Sequence, residues 1–379
     1  MNTKFEMTGD GQKLAAYTEK GMYHDAAEKK VTFGEFLEDN IENPEAGGFE
    51  PTPYKGMSPF EKYNAKQAYR EEGKQAPPDA FELALAAQEI KTAGQNCDTV
   101  QKFFQSSSAA VLYPWFIMNE VHSGALAKAI WQDFVAVTTR IDGLSFKKVY
   151  LSDAAGDRQL GRGTRGANPR RVSASVAEHE INLEKYHVEL DFEYEVFMAS
   201  PLNTHAVYLR KIGEQIGVDE TDDFFWVASA GDGNDNTGLE AGQTVETADS
   251  NIITKEDIIA FGNSTPMPYQ CTLFAGPTAW MNKFWDTLSD MTNPPGQRGE
   301  IGIPLPIGRR WDSGYFLTTT DRFLGFDTSA AMGYVTNDML NMTEQDRIID
   351  RQTVKTVISK RGNFYNLEQD AIGALDITH

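Results

Sequence analysis

Residues 185–200 read KYHVELDFEYEVFMAS. From Tyr186 the apolar side chains fall on every second position: Tyr186, Val188, Leu190, Phe192, Tyr194 and Val196. The alternation holds for eleven residues and predicts a long strand with one buried face. Ser200 and Pro201 then cap and open a helix. Ala206, Leu209, Ile212 and Ile216 recur at helical spacing, so 203–217 is predicted helical with one apolar stripe.

Working back from this stretch, Ser145–Leu151 and Phe134–Ile141 (FVAVTTRI) are rich in β-branched and aromatic residues and read as strands. Residues 153–171 hold four glycines, a proline and no sustained apolar pattern, and read as a long loop. Ala125–Trp131 reads as a short helix. Residues 1–102 have another texture. Gly11–Lys30 is made of good helix formers, Ser58 caps a helix with Pro59 at its first position, and Pro77-Pro78-Asp79 opens a helix over Ala80–Ala93. Prolines and glycines break the chain between them, so the region reads as an appendage without a core of its own. Working forward, Gly231–Gly242 is a second glycine-rich loop, Thr254–Phe261 is a capped helix, and Thr278–Leu288 is a helix with two tryptophans. Thr353–Ser359 and Phe364–Leu367 flank Lys360-Arg361-Gly362-Asn363, the signature of a hairpin turn. The class is α+β, with no βαβ rhythm.

The whole chain has 379 residues, enough for roughly two to three domains. Its 35 basic against 55 acidic residues give −20, a poor balance for gripping phosphates. Cys97 and Cys271 make neither a disulfide framework nor a four-ligand zinc site. The N-terminus lacks the layout of a signal peptide, and the longest apolar run, Ala109–Met118, is half of the roughly 20 residues that span a bilayer. The expectation is a reduced, cytosolic environment and no membrane.

Motifs of catalysis fail on their spacing. Gly161-Arg162-Gly163-Thr164-Arg165-Gly166 spells GxGxxG, yet no apolar strand ends at Leu160 and a proline-arginine run follows. Asp232–Gly238 resembles a calcium loop, but Thr237 stands where glycine is needed and Gln243 where glutamate is needed. Ser145-Phe146-Lys147-Lys148 matches SxxK inside a strand pattern, and His179-Glu180 lacks the second histidine of HExxH. The six histidines show no metal spacing. No enzyme, cofactor or metal site is expected. The loop that carries GxGxxG also holds Arg158, Arg162, Arg165, Arg170 and Arg171 without an aromatic to stack a base. In a chain this acidic, such a loop suits an acidic protein partner, including another copy of the same chain.

The order of features resembles the major capsid proteins of tailed bacteriophages, the Hong Kong ninety-seven type fold. The matching stretches are Lys185–Ser200 running into Asn203–Gly217, Trp226–Leu239 (WVASAGDGNDNTGL), Leu273–Leu288 (LFAGPTAWMNKFWDTL), Phe316–Met332 and Arg347–Ile377. Together they cover about 103–379. The resemblance implies an N-terminal helical arm or scaffold-like segment over 1–102 and an N-arm with the start of the peripheral domain over 103–144. It implies an extended E-loop hairpin over 145–190 and a peripheral-domain spine helix within 191–224. An apical domain over 225–345 and peripheral-domain closing strands over 346–379 complete it. It further implies assembly into hexamers and pentamers of an icosahedral shell around double-stranded DNA. The five arginines would be inter-subunit contacts on the E-loop. Portal, scaffold and decoration proteins would be partners, and the virion the final location after synthesis in the host cytoplasm. Some members weld the E-loop to a neighbour through lysine and asparagine, but no lysine lies between Lys148 and Lys185. Two other readings stay open: an encapsulin-like nanocompartment shell on the same fold, and a monomeric enzyme with an unrecognised site.

Overall fold

The computed structural model describes residues 5–8, 13–16, 21–40, 52–57, 59–92, 94, 96–151, 174–193, 198–231, 244–249, 252–265, 269–276, 280–284, 286–287, 309–312, 322–337, 342–348 and 353–377. In chain order the elements begin with β1 (Phe5–Thr8), β2 (Lys13–Ala16), α1 (Gly21–Glu28), α2 (Phe33–Asn40), α3 (Pro59–Glu71), α4 (Ala80–Ala87) and α5 (Ser107–Lys128). Next come β3 (Val135–Arg140), β4 (Ser145–Leu151), β5 (Ala174–Asn182), β6 (Glu184–Glu193) and α6 (Leu202–Ala230). Then follow β7 (Thr244–Glu246), α7 (Lys255–Gly262), β8 (Leu273–Gly276), β9 (Arg309–Asp312) and β10 (Arg322–Phe326). The last are β11 (Met332–Thr336), β12 (Met342–Ile348), β13 (Thr353–Asn366) and β14 (Ile372–Asp376). The fold is mixed helix and sheet. The chain divides into two compact units, one of residues 1–130, 185–220 and 338–361, the other of 131–184, 221–337 and 362–379.

The first unit is built on α5 and the first part of α6. Gly124, Gly213 and Gly217 let the two backbones touch. A Cβ on Gly213 would lie 1.9 Å from the Val121 carbonyl oxygen, and one on Gly217 2.3 Å from that of Ala125. Ala206, Leu209 and Ile216 of α6 are buried beside Leu112, Phe116, Val121 and Ala125 of α5. Pro114 lies inside α5. Around this pair sit Met22, Phe33, Phe36, Leu37, Phe81 and Leu85, in the same core cluster. Residues 21–90 therefore do not stand apart, as their broken texture suggests, but share one core with the helices that follow. A polar network holds α2, α3 and α4 together. Lys62 Nζ donates to Glu38 Oε1 at 2.9 Å, the Ala80 amide donates to the same oxygen at 3.0 Å, and Lys66 Nζ donates to Asp79 Oδ2 at 3.0 Å. Asp79 also caps α4 in a capping box with Glu82. On the sheet side, β12 pairs antiparallel with β13 from Ile348↔Thr353 to Met342↔Ser359, and β6 pairs with β13. The alternation read from 186 is found as far as Asp191: Tyr186, Val188 and Leu190 pack on the core while His187, Glu189 and Asp191 are exposed, and Tyr194 and Val196 lie outside the described residues.

The second unit carries a five-stranded sheet in the order β7-β14-β10-β8-β9. Its core is Ile258, Phe261, Phe274, Met281, Phe284 and Phe323. Beside it, β11 runs parallel to β3 and antiparallel to the end of β13. Trp131, Phe134, Phe224, Phe225, Phe326 and Phe364 interlock there at centroid separations of 5.1–6.3 Å.

Several expectations change. The hairpin turn at Lys360–Asn363 does not form. β13 runs unbroken from Thr353 to Asn366, because Gly362 lies under the Tyr334 ring, where a Cβ would meet the hydroxyl at 2.2 Å. Asn363 donates its side-chain amide to the Asn182 carbonyl and accepts the Phe364 amide on Oδ1. Gly11–Lys30 is divided between strand β2 and helix α1. Ala125 to Lys128 is the last turn of the 22-residue α5, not a helix of its own. The helix read over 203–217 extends to Ala230, so Trp226 is helical. The stretch 346–379 is shared. Thr353–Arg361 falls in the first unit, while β14 lies between β7 and β10 in the second.

Candidate assembly surfaces

In the second unit β4 and β5 form a two-stranded antiparallel ribbon, in register from Ser145↔Asn182 to Leu151↔Ala174 with an irregularity at Lys147/Val149. Among the described residues the two strands pair only with each other. The alternation of β-branched and charged residues makes each strand, and the root fixes the pair. Ile181 and Leu183 are buried with Val335 and Tyr365, and Phe146 packs on Tyr365 with centroids 5.3 Å apart. Leu183 donates its amide to Leu144 at 2.9 Å, Asn363 Nδ2 to Asn182 at 2.7 Å, and Asn337 Nδ2 to Gly143 at 3.0 Å. Lys148 is buried and donates to the Asn366 carbonyl. Burial pushes its ammonium down to about 8, opposed by Glu368. Lys147 and Glu180 pair across the exposed face at 3.4 Å. The ribbon is anchored at its Ser145/Asn182 end, and residues 152–173 follow its Leu151/Ala174 end. Arg158, Arg162, Arg165, Arg170 and Arg171 lie in that stretch, outside the described residues, as do the GxGxxG run and Asp232–Gly238.

The remaining chemistry is structural. Cys271 is buried, its thiol pushed up to about 12 by desolvation; Cys97 is half-buried, and both are free. Lys148 of the SxxK match is spent on Asn366. His205 shares a 3.1 Å bond with Tyr113 in the first unit, and burial pushes its ring down to about 4. His122 is pushed down to about 3 by burial and by Lys360. Among the described residues one trio could offer metal ligands, His24, Asp25 and Glu28. It lies on an exposed helix turn as an i,i+4 ion pair of 3.5 Å. A cavity of about 140 Å³ in the first unit is lined by Lys62, Lys66, Asp79, Glu82, Trp115 and Arg210. Its charges satisfy one another: Lys66 holds Asp79 and Glu82, and Arg210 holds Glu120 at 2.6 Å. Burial alone would raise the Asp79 carboxyl, but Lys62 and Lys66 hold it below the usual range.

Large apolar groups on the surface are concentrated on a few elements. Tyr208 (55% exposed) and Trp226 (63%) lie on α6, Ile259 on α7, and Val137 on β3. Sequence periodicity did not single out Tyr208 or Trp226, because a period marks the buried stripe and leaves the outward one unread. Among the described residues no helix is long and apolar enough to cross a membrane.

No family model matches this chain, and no curated protein does. Among solved structures it is similar to the capsid of an empty GTA particle, at 12% identity over 66% of this chain and 90% of that one, with a TM-score of 0.46. It is similar to a structure of Mycobacterium phage Cain, at 12% identity over 66% and 91%, TM-score 0.46. It is also similar to the holo-SrpI encapsulin complex of Synechococcus elongatus, at 12% identity over 65% and 87%, TM-score 0.46. Phage capsids and encapsulins are the two kinds of protein that the sequence resemblance names.

Proposed function

We propose that the chain is the major capsid protein of a tailed phage, a non-enzymatic subunit that assembles into hexamers and pentamers of an icosahedral shell around double-stranded DNA. The observation that carries this reading is the β4–β5 ribbon. An isolated two-stranded ribbon is at best marginally stable in water. This one is anchored firmly at its root, and 22 residues that include five arginines follow its paired ends. Such a device gains its stability from a surface on another molecule. In a closed symmetric assembly each copy both offers and receives it. In this reading 145–190 is the E-loop, 225–345 with β14 the apical domain, and 191–224 with the closing strands up to Arg361 the peripheral domain. Residues 103–144 form the N-arm, and 1–102 takes part in assembly from within the subunit. Portal and scaffold proteins would complete the particle.

Sedimentation velocity and negative-stain microscopy of the expressed chain test the proposal. Megadalton shells with five- and six-fold rings are expected. A 42 kDa species at every concentration and salt would overturn it. Nuclease-protected DNA inside particles from infected cells is expected; a protein cargo in its place would move the assignment to a nanocompartment.

A further inference from the structure

The cavity of about 140 Å³ lies wholly within the first unit, among helices of the segment 21–92 and the helices α5 and α6 that they pack on. It is about ten times the room that one water molecule needs, so it takes a small ligand. Arg70 of α3 lines it together with Asn119, His122 and Ser123 of α5. At 3.6 residues per turn, positions 119, 122 and 123 are neighbours on one face of α5.

Most of the charge around the cavity is already spent. Lys66 holds Asp79 and Glu82, Lys62 reaches Glu38 and Asp79, and Arg210 holds Glu120. Glu35 turns Oε2 to the amide and the hydroxyl of Thr32, at 2.8 and 3.0 Å. Arg70 differs. It is exposed, and it has no ion pair among the described residues. Asn119, His122 and Ser123 are half-buried, and their side chains make no hydrogen bond among the described residues. Burial, and after it the charge of Lys360, keeps the His122 ring neutral, so it brings one N–H and one acceptor nitrogen.

The unspent set is therefore one guanidinium fork and three neutral side chains, each able to donate a hydrogen bond. A cation would be repelled by Arg70, and an apolar ligand would leave the donors unpaired. An anion satisfies all four, and its bonds to the guanidinium are charge-assisted. A planar carboxylate is served by an arginine fork alone. Donors supplied by two helices suit a tetrahedral oxyanion, whose oxygens point to several sides.

We propose that this cavity binds a small tetrahedral oxyanion of the phosphate class, held by Arg70 from α3 and by Asn119, His122 and Ser123 from α5. Bound there, it ties the segment 21–92 to α5 and stabilises the first unit. The inference goes beyond the shell-subunit reading and does not depend on it.

The test is isothermal titration of the full chain with inorganic phosphate, with chloride holding the ionic strength constant. One saturable site per chain is expected, and the melting temperature should rise with phosphate but not with equivalent chloride. Arg70→Gln should weaken phosphate binding about tenfold or more while leaving the melt in chloride unchanged, because Arg70 is exposed. Ser123→Ala should weaken it by a smaller factor. Lys74→Gln removes an exposed cation just beyond α3, outside the cavity lining, and should bind phosphate as the wild type does. No saturable site in the wild type overturns the proposal. So does wild-type affinity in Arg70→Gln or Ser123→Ala, and so does an equal loss in Lys74→Gln, which would reduce the effect to general charge. Acetate binding as tightly as phosphate overturns the tetrahedral assignment.

Discussion

His122 and His205 are held neutral inside the first unit, and that makes its stability depend on pH in a definite direction. Both rings are pushed below the ordinary value of 6.5. An unfolded chain therefore binds protons at these two positions between pH 6.5 and about 4 while the folded chain does not. Stability falls as pH falls through that window, at about 1.4 kcal/mol per unit of difference for each ring. Chemical denaturation at pH 7.0 and 4.5 should show the loss, and His122→Gln with His205→Gln should flatten it. An unchanged slope in the double variant would show that the rings are hydrated in the folded state. At this scale the sequence is partly legible. Thr254 as a cap follows from residue type and position, and it is found. Asn363 was misread because Gly-Asn is good turn chemistry. What decides against a turn is the Tyr334 ring over Gly362, a long-range neighbour that no local window contains.

Among elements, the segment 21–92 departs most from its reading. Its helices are short and charged, and helices of eight residues are not stable alone. They form because Phe33, Phe36, Leu37 and Phe81 bury against α5 and because Glu38, Asp79, Lys62 and Lys66 make a network across three helices. Removing residues 1–102 would uncover the face of α5 with Val111 and Trp115, which Tyr23, Phe33 and Gly34 cover. Large-to-small changes at single sites of this kind cost about 2–5 kcal/mol, and this deletion removes many such groups at once. The 103–379 fragment is expected to aggregate or to bind a hydrophobic dye without a cooperative melt. A soluble fragment with a sharp melt would show that the segment is dispensable to the subunit. Strands were more legible than helices: Ser145–Leu151 has the same limits in both readings, and β6 contains the alternating residues 186–191. Helix ends were missed where glycine serves close packing. Gly213 and Gly217 read as weak helix formers, yet each stands where α5 touches α6.

For the whole molecule, the arginines of 158–171 are proposed as assembly residues from the sequence, and they lie outside the described residues. Exposed ion pairs contribute about 0–1 kcal/mol each, so Arg162→Glu alone should be tolerated. Arg158, Arg162 and Arg165 changed together to Glu should abolish particles while the subunit stays soluble, and high salt should weaken wild-type assembly in the same sense. Wild-type yield from the triple variant would reduce the loop to a solvated tip. The division of the chain has a last consequence, for its synthesis. Each unit is stitched from three separated stretches, the first needing residues as late as 361 and the second residues beyond 362. At about 5–20 residues per second, a ribosome takes on the order of half a minute to supply them. Neither unit can close before residue 361 has been made. A translation product that ends early is thereby denied a finished unit, which in the proposed shell would keep incomplete copies out of the lattice before any chaperone or protease has acted.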